Sequence, residues 1–122
     1  MSDNEQTVRD FVNAWPRLDA DEIVGFFAED GVYHNMMLDP VKGQAALKGF
    51  IAGFIKTWTE THWEIVTLVA EGDTVVVERV DKTKMGVKGV DLPCVGVFEM
   101  EGGKIKVWRD YFDLPTFANA AG

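Results

Sequence analysis

From about residue 61 onward the chain reads as strand and little else, which leaves few folds open to it. Apolar and β-branched runs near 61–70, 74–84, 91–100 and 104–113 are interrupted by Glu71-Gly72-Asp73 and Glu101-Gly102-Gly103, both signatures of tight turns. Successive strands joined this way form an antiparallel meander, and one face of such a sheet has to be covered. The first sixty residues supply the cover. Val8, Phe11, Val12 and Trp15 follow the i, i+3, i+4, i+7 spacing of a helix that Ser2 or Asp3 caps and Pro16 stops. Asp19 and Glu22 stand as N-cap and N3 residue of a second, short helix carrying Ile23, Val24, Phe26 and Phe27, which Asp30-Gly31 ends. A strand follows over 32–37, then a turn at Asp39-Pro40. Gly43 to Trp58 reads as a third helix, with Leu47, Phe50, Ile51, Phe54, Ile55 and Trp58 on its inner face. Asp113-Leu114-Pro115 ends the last strand and leaves a short tail. The expectation is an α+β fold: one domain over residues 1–122, its curved sheet closed on the N-terminal helices.

Composition narrows what such a domain does. With 122 residues there is material for one core and not two. A hydrophobic fraction of 47%, including eight Phe and four Trp, argues for a packed interior with apolar surface left over for a pocket or a subunit contact. A net charge of −8 argues against nucleic-acid or anionic-membrane partners, which select clustered Lys and Arg. The single Cys94 cannot form an internal disulfide and fits a reducing cytoplasm. Met1 to Glu5 does not resemble a secretion signal, and no apolar run approaches the ~18 residues of a membrane span. The expected location is the cytoplasm.

Three strands carry polar residues where apolar ones are expected: Tyr33-His34-Asn35, Arg79-Val80-Asp81 and Trp108-Arg109-Asp110-Tyr111-Phe112. Residues two apart on a strand share a face. Arg79 and Asp81 therefore lie on the face of Val75 and Val77, Asp110 lies between Trp108 and Phe112, and Tyr33 lies beside Asn35. Burying a carboxylate in such a row is costly unless it is paired or kept protonated. Two carboxylates and one arginine point to acid–base chemistry, although an ordinary ion pair or a structural network would use the same residues. His34 and His62 lack partners at metal-ligand spacing, so no metal is expected. Nothing beside Cys94 activates a thiolate; it reads as a small buried hydrophobe.

At this point the chain resembles the limonene-1,2-epoxide hydrolases, small enzymes on the cystatin-like cone shared with nuclear-transport-factor-like and polyketide-cyclase-like proteins. Ala28-Glu29-Asp30 with Tyr33 and Asn35, Glu78-Arg79-Val80-Asp81, Gly96-Val97-Phe98, Gly103-Lys104-Ile105 and Trp108 to Asp113 stand in that family's order and nearly its spacing. The resemblance implies an active site of Asp81, Asp110, Arg79, Tyr33 and Asn35, with Trp15, Phe54, Trp58, Leu92, Phe112 and Phe117 around the substrate. It implies no cofactor, a small apolar epoxide and water as reactants, and a homodimer formed through the outer sheet face. The N-terminal lead, the hairpin between Asp81 and Gly96 and the tail after Phe117 are shorter than in that family, which bears on substrate choice.

The implied chemistry places a definite demand on Asp81. If Asp110 takes a proton from water while Asp81 gives one to the epoxide oxygen, Asp81 must stay protonated near neutrality, a rise of ~3 units or about 4 kcal/mol. A second carboxylate ~6 Å away at an effective dielectric near 20 supplies about 2.8 kcal/mol, and Arg79 opposes it. Desolvation has to supply the rest. Two rival readings remain at this level: an isomerase or cyclase with one Asp base, and a non-catalytic ligand-binding or dimerisation module.

Overall fold

The computed structural model describes residues 3–121. Helix α1 (Asp3–Ala14) buries Val8, Phe11, Val12 and Ala14 along one face, as the spacing predicts. Ser2, named as its possible cap, lies outside the described residues. Pro16 opens a 3-10 turn (Trp15–Arg17) closed by Leu18, whose left-handed φ of 52° brings its N–H back to the Trp15 carbonyl. The chain thereby reverses into α2 (Ala20–Val24), where the Asp19 carboxylate accepts from the backbone N–H of Asp21 and Glu22. Glu22 does not close the reciprocal half of a capping box. Its carboxylate accepts both Nε and Nη2 of Arg17 at 2.8 Å.

The second helix is shorter than the sequence predicts. Phe27 already belongs to strand β1 (Phe27–Asn35), and Asp30-Gly31, which reads as a helix terminator, falls in an irregularity between Phe27 and Val32 in the pairing of β1. Gly31 suits that bend because a Cβ there would stand 3.0 Å from the Ala28 carbonyl oxygen. A two-residue strand β2 (Val41–Lys42) and helix α3 (Gln44–Ile55) follow. Gly43, at φ 90°, makes the entry into α3.

Four long strands complete the sheet: β3 (Glu60–Glu71), β4 (Thr74–Met85), β5 (Lys88–Glu101) and β6 (Lys104–Phe112). Their order is β2-β1-β6-β5-β4-β3, with every pairing antiparallel except β1 with β6. The expected short tail is instead a helix, α4 (Leu114–Ala121), started by Asp113, whose carboxylate accepts from the Thr116 N–H.

The core lies between α1, α3 and the concave face of the sheet. Phe11 sits at its centre, meeting Trp15, Phe26, Phe27, Phe98 and Trp108 edge-on with ring centroids 5.1 to 6.0 Å apart. Burying each ring of this size stabilises the fold by about 1.5–3 kcal/mol. The aromatic cluster fills one end of the cone and leaves the other to a pocket.

Candidate active site

Strand register assembles the site from four strands. Asn35 on β1 is paired with Asp110 on β6, Asp110 with Gly96 on β5, and Gly96 with Val77 on β4. One step towards the open end, Phe112 is paired with Cys94, Cys94 with Arg79 and Arg79 with Ile65; in the next row Leu92 faces Asp81 and Asp81 faces Trp63. Arg79 and Asp110 thus start on strands separated by β5, and the guanidinium crosses β5 at Gly96. A Cβ on Gly96 would lie 2.9 Å from Arg79 Nη1 and 2.8 Å from Trp108 Nε1, so only glycine lets the arginine through.

The bridge it makes is four-stranded. Arg79 Nε and Nη2 donate to Asp81 Oδ1 and Oδ2 at 2.8 and 3.1 Å, while Nη1 and Nη2 donate to Asp110 Oδ1 and Oδ2 at 2.8 and 2.7 Å. The Arg79 side chain is fully buried, and those of Asp81 and Asp110 are 10% and 4% exposed. Trp63 and Trp108 pack over the guanidinium, 4.5 and 5.5 Å from its carbon to the ring centroids. A cation so desolvated gains ~2 kcal/mol from such a face. Burial alone would lower the arginine's pKa; Asp110 and Asp81 outweigh it and hold the charge firmly in place.

One positive and two negative charges leave the cluster one proton short of neutral. The structure favours Asp81 for that proton: burial first, opposed by Arg79 and reinforced by Asp110, raises it from 3.8 to about 6. Its outer hydrogen bond is the longest of the four, and it is the more exposed carboxyl. Desolvation is the leading cause, as the sequence argument requires, and the rise is smaller than the ~3 units reckoned there. Roughly one molecule in ten then carries the proton at pH 7.

Tyr33 is buried and stacked on Trp108, centroids 4.1 Å apart; burial, then Asp110, holds its hydroxyl well above its usual pKa. Asn35 Oδ1 is buried without a partner among the described residues, an acceptor left open beside the Asp110 strand position. A buried acceptor of this kind calls for a water or a ligand.

All five residues named from sequence come together. Around them Tyr33, Phe54, Trp58, Leu92, Phe112 and Phe117 line a pocket floored by Asp81 and Asp110. It offers about 20 Å³ to the centre of a water molecule, enough for one water. Phe117 on α4 closes it against Phe54, 5.3 Å between centroids. Trp15 is a correction: it is fully buried behind the wall, stacked at 4.2 Å on Trp63, and Trp63 takes the lining position. The sequence reading passed over Thr83 and Val90, which line the pocket; Cys94, read as a small buried hydrophobe, is buried with its Sγ 3.5 Å from Asp81 Oδ2 and 3.3 Å from the Leu92 carbonyl oxygen. Burial pushes that thiol's pKa up, and Asp81 adds to it. Extending the two-residue period from Asp81 to Thr83, and across to Leu92 and Cys94, is the signal that would have found them. Among the described residues no three His, Cys, Asp or Glu side chains are grouped to hold a metal ion. No helix among them is long and apolar enough to cross a membrane.

The fold is shared with known proteins. Residues 8–108 match the SnoaL-like domain. The chain belongs to the SnoaL-like domain family. Within that family it is 32% identical to epoxide hydrolase EphG of Mycobacterium tuberculosis over 110 residues, covering 88% of this chain and 71% of that protein. The solved structure of an M. tuberculosis epoxide hydrolase of the limonene epoxide hydrolase-like type superposes with a TM-score of 0.83 at 28% identity, covering 98% of this chain and 90% of that one. A protein with a ketosteroid isomerase-like fold from Catenulispora acidiphila also superposes with a TM-score of 0.83, at 21% identity over 94% of this chain and 92% of that one. The epoxide hydrolase/cyclase-like enzyme SalBIII gives 0.81 at 21% identity, over 93% and 92%. These last two show the shared fold. The SnoaL-like frame thus carries an epoxide hydrolase-like sequence.

Proposed function

We propose that the chain is a cofactor-independent epoxide hydrolase that opens an apolar cyclic or aryl epoxide to a vicinal diol in one step. The observation that carries this reading is the Arg79 fork on two buried carboxyls, at the floor of an aromatic pocket with the open acceptor Asn35 Oδ1 beside them. Asp110 takes a proton from a water held by Asn35 and Tyr33 as the water oxygen attacks an epoxide carbon. The carbon–oxygen bond breaks, and the departing oxygen takes the proton of Asp81. A proton passed from Asp110 to Asp81 resets the pair. General acid and general base steps each contribute ~10²–10⁴-fold. The scheme uses water alone as co-reactant.

An enolate-forming isomerase on this fold would use one Asp base and a neutral donor, and the Arg79-bridged pair with Tyr33 and Asn35 favours hydrolysis over it. The pocket as it stands admits a water, so an epoxide enters only as Phe54, Trp58 and Phe117 yield. The same reading includes a homodimer formed through the outer sheet face, where Val66, Val95 and Tyr111 are exposed, and a reducing cytoplasm in which Cys94 stays a thiol. Sedimentation giving twice the chain mass tests the dimer. The activity itself is tested by following diol formation from limonene, cyclohexene and styrene oxides. Diol from at least one, lost in Asp81→Asn, is the expected result; no diol from any overturns the reading.

A further inference from the structure

Beside the acid lies a polar group that the hydrolysis scheme leaves unused. Thr83 follows Asp81 on the same face of β4, so their Cα atoms are about 6.6 Å apart, and it lines the pocket while being only 4% exposed. Its hydroxyl is 2.7 Å from that of Thr61, directly across the strand pair, and the Trp63 indole Nε1 donates to Thr61 Oγ1 at 3.0 Å. Three donor protons meet here: one indole N–H and two hydroxyls. The indole can only donate, so Thr61 oxygen is an acceptor from it, and the threonine–threonine contact consumes one of the two hydroxyl protons.

One proton is left, and geometry decides where. If Thr83 donated to Thr61, the remaining proton would sit on Thr61 Oγ1, which is 3% exposed, would then accept twice, and has no third partner among the described residues. If Thr61 donates to Thr83, the remaining proton belongs to Thr83, whose side chain lines the pocket and can give it to a water or ligand there. Only the second arrangement leaves the spare donor within reach of an acceptor. The chain Trp63 → Thr61 → Thr83 then presents an oriented O–H donor to a lumen that is otherwise aromatic and aliphatic.

From this juxtaposition we infer that Thr83 is a substrate-anchoring residue, and that the preferred ligand carries a hydrogen-bond acceptor such as a carbonyl, ether or hydroxyl oxygen about one strand repeat, ~6–7 Å, from the group bound at Asp81. The identity of that second group as an epoxide rests on the reading above; the anchor does not. An unsubstituted hydrocarbon epoxide leaves the Thr83 donor facing an apolar surface and is the poorer ligand.

Acetophenone and ethylbenzene, nearly equal in shape and differing in the acceptor oxygen, are the probes, and the fluorescence of pocket-lining Trp58 and Trp63 is the reporter. The ratio of the ethylbenzene Kd to the acetophenone Kd should fall about fivefold from the wild type to Thr83→Val, the worth of one neutral hydrogen bond, and recover in Thr83→Ser. An unchanged ratio in Thr83→Val, or failure of both probes to bind the wild type, overturns the anchor. Diol formation from styrene oxide, followed in parallel, separates this claim from the one beneath it. A shifted ratio without diol keeps Thr83 and sinks the epoxide reading, whereas diol with an unshifted ratio does the reverse.

Discussion

The two ends of one sheet face use the same burial for opposite purposes. On β4, Val75 and Val77 are fully buried, and Arg79 and Asp81, next on the same face, are 1% and 7% exposed; on β6, Trp108 at 0% is followed by Asp110 at 3%. Seen by solvent alone the two ends are equivalent. They differ in what desolvation does: at the Val75 and Trp108 end it stabilises the fold, whereas at the other end it raises the pKa of Asp81. On the proposed reading the dryness that holds the SnoaL-like cone together also supplies its acid, and Trp108 joins the ends by packing on Phe11 and over Arg79.

If that division is real, substitutions at the two ends separate stability from activity. Asp110→Asn and Asp81→Asn should each lower kcat/KM for a turned-over epoxide by about 10²–10⁴-fold with the melting transition kept, as measured by steady-state kinetics beside calorimetry. Phe11→Ala should do the opposite, losing about 3–5 kcal/mol in denaturant unfolding while the molecules that remain folded keep their turnover. Gly96→Ala breaks the division, because the added methyl meets both the Arg79 guanidinium and the Trp108 indole. Overpacking of this kind costs about 1–3 kcal/mol, and misplacing a catalytic group by an ångström costs about 10²-fold in rate, so both readouts should fall together.

Smaller effects lie in the proton affinity itself. In the proposed scheme the active form of Asp81 is protonated, so kcat/KM should fall about tenfold per pH unit above about 6. Cys94→Ser replaces a weak S–H donor at Asp81 Oδ2 with a stronger O–H donor, which favours the carboxylate; the alkaline limb of that profile should move to lower pH by a few tenths of a unit. A shift upward, or none, removes Cys94 from the account.

How much of this the sequence disclosed follows from how local each signal is. The four long strands were legible within a residue or three, because their apolar runs and Gly turns are short-range patterns. Four of the five polar residues were legible as pairs two apart and Asp110 as a carboxylate between Trp108 and Phe112, but as one site only through the family resemblance, since the register joining Asn35, Asp110, Gly96 and Val77 is set by pairing across distant segments. Phe27 was read as helical because Asp30-Gly31 looks like a helix end, and its pairing with Ile105 on β6 decides otherwise. Trp15 was placed in the pocket by analogy, and its stacking on Trp63, forty-eight positions away, takes it out. Gly96 carried no reason of its own until the guanidinium was seen to cross it.

The central claim is that water, activated by Asp110 and opposed by protonated Asp81, attacks the epoxide directly. A single-turnover reaction in oxygen-18 water, with enzyme in excess over an epoxide that is turned over, tests it by mass spectrometry of the diol. The account predicts full incorporation of label into the new hydroxyl in the first turnover. Unlabelled diol, with the label left in a carboxylate of the protein and reaching the diol only in later turnovers, would mean that Asp81 or Asp110 attacks carbon itself, and would contradict it.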